Sequence, residues 1–208
     1  MTRAAHRWMT GAAALLLLPT VGMAQLVTST GIDLTAGKDN RWSISSNGGA
    51  FVAATKITTP PGVWATPTAS FAWIGTTASG TGGTSPYAAR TQFMLGAGDL
   101  FSLTLRCAVD NNPLGVFVNS VLVAGAGCST FAFGSSFTLS SWLQGTNTLE
   151  FRWSGDNTTD GLAVLVESQR FTPGTPGTPN VVPEPSTYAL LLSGLGLLAL
   201  ARRRRNLV

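Results

Sequence analysis

The sequence is poor in the side chains that carry out most enzyme chemistry. Its 208 residues include one histidine, two cysteines and two tyrosines. The histidine, His6, lies in an N-terminal stretch that reads as a removable leader. The remaining chain then has no imidazole for a Ser-His or Cys-His pair, and no histidine metal ligand. Charge is scarce as well, with Asp, Glu, Lys and Arg making up 11% of the chain. Carboxylate pairs alone can hydrolyse glycosides at separations of about 5–10 Å. Asp99, Asp110, Glu150, Asp156, Asp160 and Glu167 are available for such a pair, but no spacing selects two of them. The chain reads as a non-enzyme.

The formal charge is +4, from 13 basic and 9 acidic residues. Six of the basic residues sit at the ends: Arg3, Arg7 and the run Arg202, Arg203, Arg204, Arg205. Removing them leaves 13 − 6 = 7 against 9, a balance of −2. Nucleic-acid binding needs cations on the folded surface to neutralise phosphates, so no nucleic-acid partner is expected. With 24 glycines, 11 prolines and no long amphipathic pattern, the composition suits a turn-rich β protein.

Residues 1–24 read as a signal peptide. Arg3 and Arg7 precede the apolar stretch Met9–Val21, and Gly22-Met23-Ala24 places small residues for signal peptidase to cut before Gln25. An uncleaved anchor helix is the alternative. At the other end, Pro183-Glu184-Pro185 precedes an apolar run, Tyr188 to Ala201, and then the four arginines. A helix over about 187–201 covers roughly 22 Å, short of the roughly 30 Å hydrocarbon core. Local thinning and snorkelling arginines let it insert, with the C-terminus in the cytoplasm. This order resembles the PEP-CTERM sorting signal over about residues 181–206, with the sorting segment itself at 183–206. The resemblance implies an exosortase that recognises Pro183, Glu184 and Pro185, removes the helix and passes the body onward. It also implies export across the inner membrane of a Gram-negative-type bacterium, with a transient membrane anchor. The destination is then the cell surface or extracellular matrix, often beside an exopolysaccharide or biofilm system. An ordinary C-terminal anchor is the alternative.

Residues 172–182 form a spacer in which Thr-Pro-Gly or Thr-Pro-Asn recurs three times, a pattern that stays extended and does not pack. Residues 25–171 alternate short apolar runs with Gly, Pro, Asn and Ser turns. Strands are expected over 41–46, 51–57, 70–76, 89–95, 100–109, 115–119, 121–124, 130–139, 148–153 and 162–169, with a hairpin at Asn119-Ser120. Short strands of this number suggest an all-β, antiparallel, two-sheet jelly-roll-like sandwich. Two stretches, Ser141 to Trp153 and Asp110-Asn111-Asn112 followed by Val116 to Asn119, resemble galactose-binding-like jelly-roll domains. That resemblance speaks to fold more than function. Cys107 and Cys128, sent to an oxidising compartment, are expected to form one disulfide; two free thiols are the alternative.

Asp156-Asn157-Thr158-Thr159-Asp160-Gly161, with Glu167 twelfth, follows the calcium-loop spacing except at Thr158. Its flanks are strand-like, so a polar turn is the plainer reading. A structural Ca²⁺ built from Asp156, Asp160 or the Asp110-Asn111-Asn112 loop stays open. Trp64, between Pro60-Pro61-Gly62 and Pro67, is expected on a rigid exposed loop. There it becomes the candidate carbohydrate contact, with Arg90, Asp110 and Asn111 as polar partners. Trp42, Trp73 and Trp153 are expected in the core. The functional expectation is an exported matrix or envelope protein whose sandwich contacts extracellular polysaccharide. A structural or protein-interaction domain is the alternative; a lipid- or ice-facing surface stands further off.

Overall fold

The computed structural model describes residues 27–174. The leader expected over 1–24, the sorting segment over 183–206 and most of the spacer lie outside the described residues. Among those described, no helix is long and apolar enough to cross a membrane. The body consists of strands: β1 (Leu34–Thr35), β2 (Lys38–Ser46), β3 (Val52–Lys56), β4 (Ile74–Gly75), β5 (Tyr87–Leu95) and β6 (Leu100–Asp110). They continue with β7 (Asn112–Val118), β8 (Val121–Leu122), β9 (Ser129–Thr130), β10 (Phe137–Leu139), β11 (Gly145–Ser154) and β12 (Gly161–Thr172).

Period-2 patterning builds the core. Along β5, Tyr87, Ala89, Thr91, Phe93 and Leu95 turn inward and the residues between them face out. The same alternation buries Leu103, Leu105 and Cys107 on β6, and Asn147, Leu149, Phe151 and Trp153 on β11. Trp42 packs against Phe151 with ring centroids 5.7 Å apart, and Tyr87 stacks on Trp153 at 5.4 Å. Each aromatic side chain withdraws a large apolar area from water, so these rings dominate the packing.

The expected pair of separate sheets is instead one curled sheet, in the order β10-β6-β12-β4-β3-β2-β5-β11-β7-β8. Two-residue β4 joins the layers, because Ile74 pairs with Leu162 of β12 and also with Lys56 of β3. The pairing is antiparallel except at β9, which runs parallel to β6. There the Cys107–Cys128 disulfide, with Cα atoms 4.6 Å apart, holds the returning chain so that Ser129 lies beside Ala108. The strand expected over 130–139 is therefore two short pieces, broken by a loop in which Phe131 takes a φ of 64°. The hairpin at Asn119-Ser120 is present, with φ of 50° and 68°, the left-handed pair that a type I′ turn requires. Asn119 completes it by accepting the Thr148 N–H at 2.8 Å and donating to Asn147 Oδ1 at 2.9 Å.

The disulfide spans a sequence separation of 21. Replacing Cys107 and Cys128 together by serine is expected to cost about 3 kcal/mol of stability, read from denaturant midpoints under oxidising conditions. Reductant should weaken the parent by the same amount and leave the variant unchanged.

Candidate functional site

The loop from Pro60 to Pro67 turns its tryptophan inward. Trp64 is 4% exposed, so it offers no open ring to a sugar, contrary to the expectation from its flanking prolines. Its ring lies 4.2 Å from that of Trp73 and tilts by 40°. Together with Ile57, Phe71, Ala108 and Ala163 these rings form a second, smaller core under the loop. A buried indole needs an acceptor, and Asp110 supplies it: Trp64 Nε1–H donates to Asp110 Oδ2 at 2.8 Å. Trp73 Nε1–H donates to the Ala65 carbonyl at 2.8 Å, which fixes the loop from its other side.

Asp110 closes β6 where the sheet reaches the loop Gly155–Asp160. It is 7% exposed, and its Oδ1 is buried without a hydrogen-bond partner. Burial pushes its carboxyl up to about 6, the charges of Asp160 and Asp156 push the same way, and the Trp64 N–H opposes them. Asp160, one residue before the Gly161–Asp110 pair, accepts the Tyr87 hydroxyl at 2.9 Å. Burial raises the Asp160 carboxyl and also the Tyr87 phenol, whose hydrogen bond to Asp160 adds to its shift. A Cβ at position 155 would fall 1.5 Å from Asp160 Oδ1, which is why glycine stands there. Asp156 is exposed, and the Thr158 hydroxyl and N–H that it accepts hold its carboxyl below the ordinary range. Asn111 donates its N–H to Ser154 at 3.1 Å, and its carbonyl accepts the Thr130 hydroxyl at 2.8 Å.

The structure thus joins Trp64 to Asp110 as a packing pair and leaves Arg90 elsewhere. Arg90 stands on β5, opposite Ser43 and Glu150, with its guanidinium 3.8 Å above the Phe51 ring. On the same outer face Arg152 lies 4.0 Å above Phe117 and donates to Glu150 at 2.5 Å. Phe51, Leu114, Glu150 and Arg152 line an open groove of about 330 Å³ there. The calcium-loop spacing starts in the turn after β11 and runs into β12, which holds its last position, Glu167, so strands stand where the template requires helices. Among the described residues no group of three or more His, Cys, Asp or Glu side chains converges to hold a metal.

The body therefore presents packed carboxylates and shallow grooves, and the informative chemistry lies in the tail, where Pro183-Glu184-Pro185 precedes the apolar run and the arginines. Residues 181–205 match the PEP-CTERM protein-sorting motif. The PEP-CTERM motif implies an exported protein, anchored in a membrane during transit and processed by an exosortase. No curated protein and no solved structure matches the chain.

The Asp110 environment has a measurable consequence. Below about pH 4 the carboxyl is protonated in both the folded and unfolded chain, and above about 6 the folded chain must bury it charged. Its contribution therefore makes the fold less stable as pH rises between those values. Asp110→Asn is expected to flatten that fall and to gain on the order of 2 kcal/mol at pH 7.5, checked by urea melts at several pH values. Asp39 and Asp160, also raised by burial, leave a residual slope of the same sign.

Proposed function

We propose that this protein is an exosortase-processed component of the cell envelope or extracellular matrix, and that its β body serves there as a structural or protein-interaction unit. The carrying observation is the sorting motif at residues 181–205, which follows a Thr-Pro-rich spacer in the sequence. Against the polysaccharide reading, the aromatic expected to stack on sugar is an internal packing residue bonded to Asp110. The structural reading requires no small ligand and gives the buried tryptophans and the disulfide one common role, a body that persists outside the cell.

Intact mass of the exported protein tests the sorting step. The expected mass lacks Arg202–Arg205, and Glu184→Ala should retain them and remain with the membrane fraction. A mature exported protein that still carries the four arginines overturns the assignment.

Trp64→Ala separates the two readings of the body. It is expected to lower stability by about 3–5 kcal/mol, as for a large ring removed from a core. Neither parent nor variant is expected to be retained on the producer's own exopolysaccharide. Specific retention of the parent would restore the polysaccharide reading.

A further inference from the structure

The chain leaves the body at a pinned point. β12 ends with Thr172 paired to Leu100, the first residue of β6. Two residues on, the Gly174 N–H donates to Asp99 Oδ1 at 2.7 Å, while Asp99 Oδ2 accepts the Gly96 N–H at 2.6 Å. One carboxylate thus ties the turn between β5 and β6 to the departing strand. The fit is close: a Cβ at position 174 would stand 2.1 Å from the Ala97 carbonyl oxygen.

Exposed apolar side chains gather at this same end. The pairs Leu95–Gly145, Met94–Thr146 and Leu100–Thr172 place the ends of β5 and β12 with the starts of β6 and β11. Met94, Leu100, Val121, Leu122 and Leu143 are all more than half exposed there, five of the nine large apolar side chains exposed among the described residues. Two shallow grooves flank the segment from Leu139 to Leu143. One, of about 320 Å³, is lined by Leu100, Phe101, Trp142 and Arg170; the other, of about 340 Å³, by Val121, Leu122 and Leu143. Asp110, Asp156 and Asp160 lie at the opposite end, where β6 finishes and β12 begins. Exposed apolar side chains thus mark the end where the chain leaves the body, where the Asp99 carboxylate is engaged by Gly174 and Gly96, while Asp156 is exposed at the opposite end.

Residues 175–186 link Gly174 to the helix expected over about 187–201. Twelve residues reach at most about 40 Å, about the length of β12 itself at roughly 3.3 Å per residue. While the tail sits in the membrane, the exit end is held within one body length of the lipid, and contact with it is intramolecular. We propose that this end of the body rests on the lipid surface during the anchored stage. Leu100, Val121, Leu122 and Leu143 would enter the interface, with Arg170 facing lipid phosphates, and the carboxylate end would point away. Cleavage of the tail removes the tether, and the small apolar patch then releases the body. The proposal rests on the tail being a membrane anchor.

The test is hydrogen exchange, read by mass spectrometry, on the full chain reconstituted through its tail into phosphatidylethanolamine–phosphatidylglycerol vesicles. Peptides covering 96–100 and 139–145 should exchange several-fold more slowly than in the variant Leu100→Ser, Val121→Ser, Leu143→Ser. Peptides covering 154–161 should be equal in both, which also reports that the variant is folded. Lengthening the spacer by a long Gly-Ser insert, with the body untouched, should relax the protection as well. Equal exchange in parent and triple variant overturns the proposal, as does protection that grows with protein density, the mark of a second copy on this face. A chain that fails to enter the vesicles overturns the anchored-tail reading and the proposal with it. An anchored chain with an unprotected exit end overturns the proposal alone.

Discussion

The ladder between β6 and β12 is the interaction on which the rest of the body depends. It runs from Gly161–Asp110 at one end to Thr172–Leu100 at the other, interrupted by one irregularity between Val166 and Ser168. Each backbone hydrogen bond contributes only about 1 kcal/mol net, but leaving such buried groups unpaired would cost more. The ladder also sets positions at both ends. It brings Asp160 beside Asp110 under the Trp64 loop, and it delivers Gly174 to Asp99. At the N-terminal side of the body, the Thr30 hydroxyl accepts the Val164 N–H at 3.0 Å, and the Thr30 N–H donates to the Val164 carbonyl at 3.1 Å. The first described segment is thereby laid against the same strand.

Much of this was legible in the amino-acid order because period-2 alternation is a local signal. The positions of most strands, the hairpin at Asn119-Ser120 and the placing of Trp42, Trp73 and Trp153 in the core follow from short β-prone runs and from turn chemistry. The sorting motif was legible for a different reason, since order and spacing along the chain carry its meaning. The pairing of Cys107 with Cys128 followed from their number and compartment, and the structure adds the short parallel strand beside it.

The parts that escaped are those fixed by distant contacts. Ile74-Gly75 falls inside the strand expected over 70–76, but nothing local shows that it pairs on both sides and so turns two layers into one sheet. Pro60-Pro61-Gly62 correctly marks a loop, but proline and glycine say nothing about which way the next side chain faces. The clue to Trp64 lay 46 residues away in Asp110, an acid directly after the buried run Cys107 to Val109. A carboxylate in that place either meets water or must accept a donor, and the Trp64 ring of the loop supplies one. Thr130–Leu139 was read as one strand because its composition is β-prone, while its geometry follows the disulfide and the Phe131 turn.

The clamp at Asp99 also determines how the body responds to force. A pull on the spacer arrives at Gly174 and is met first by a single carboxylate. Past that point it is carried into β12 along the strand axis. The hydrogen bonds of an antiparallel ladder lie across that axis, so the pairs from Thr172 to Gly161 share the load in shear and do not peel one at a time. A domain tethered by its last strand in this way can be held under tension by its own anchor while its fold stays closed.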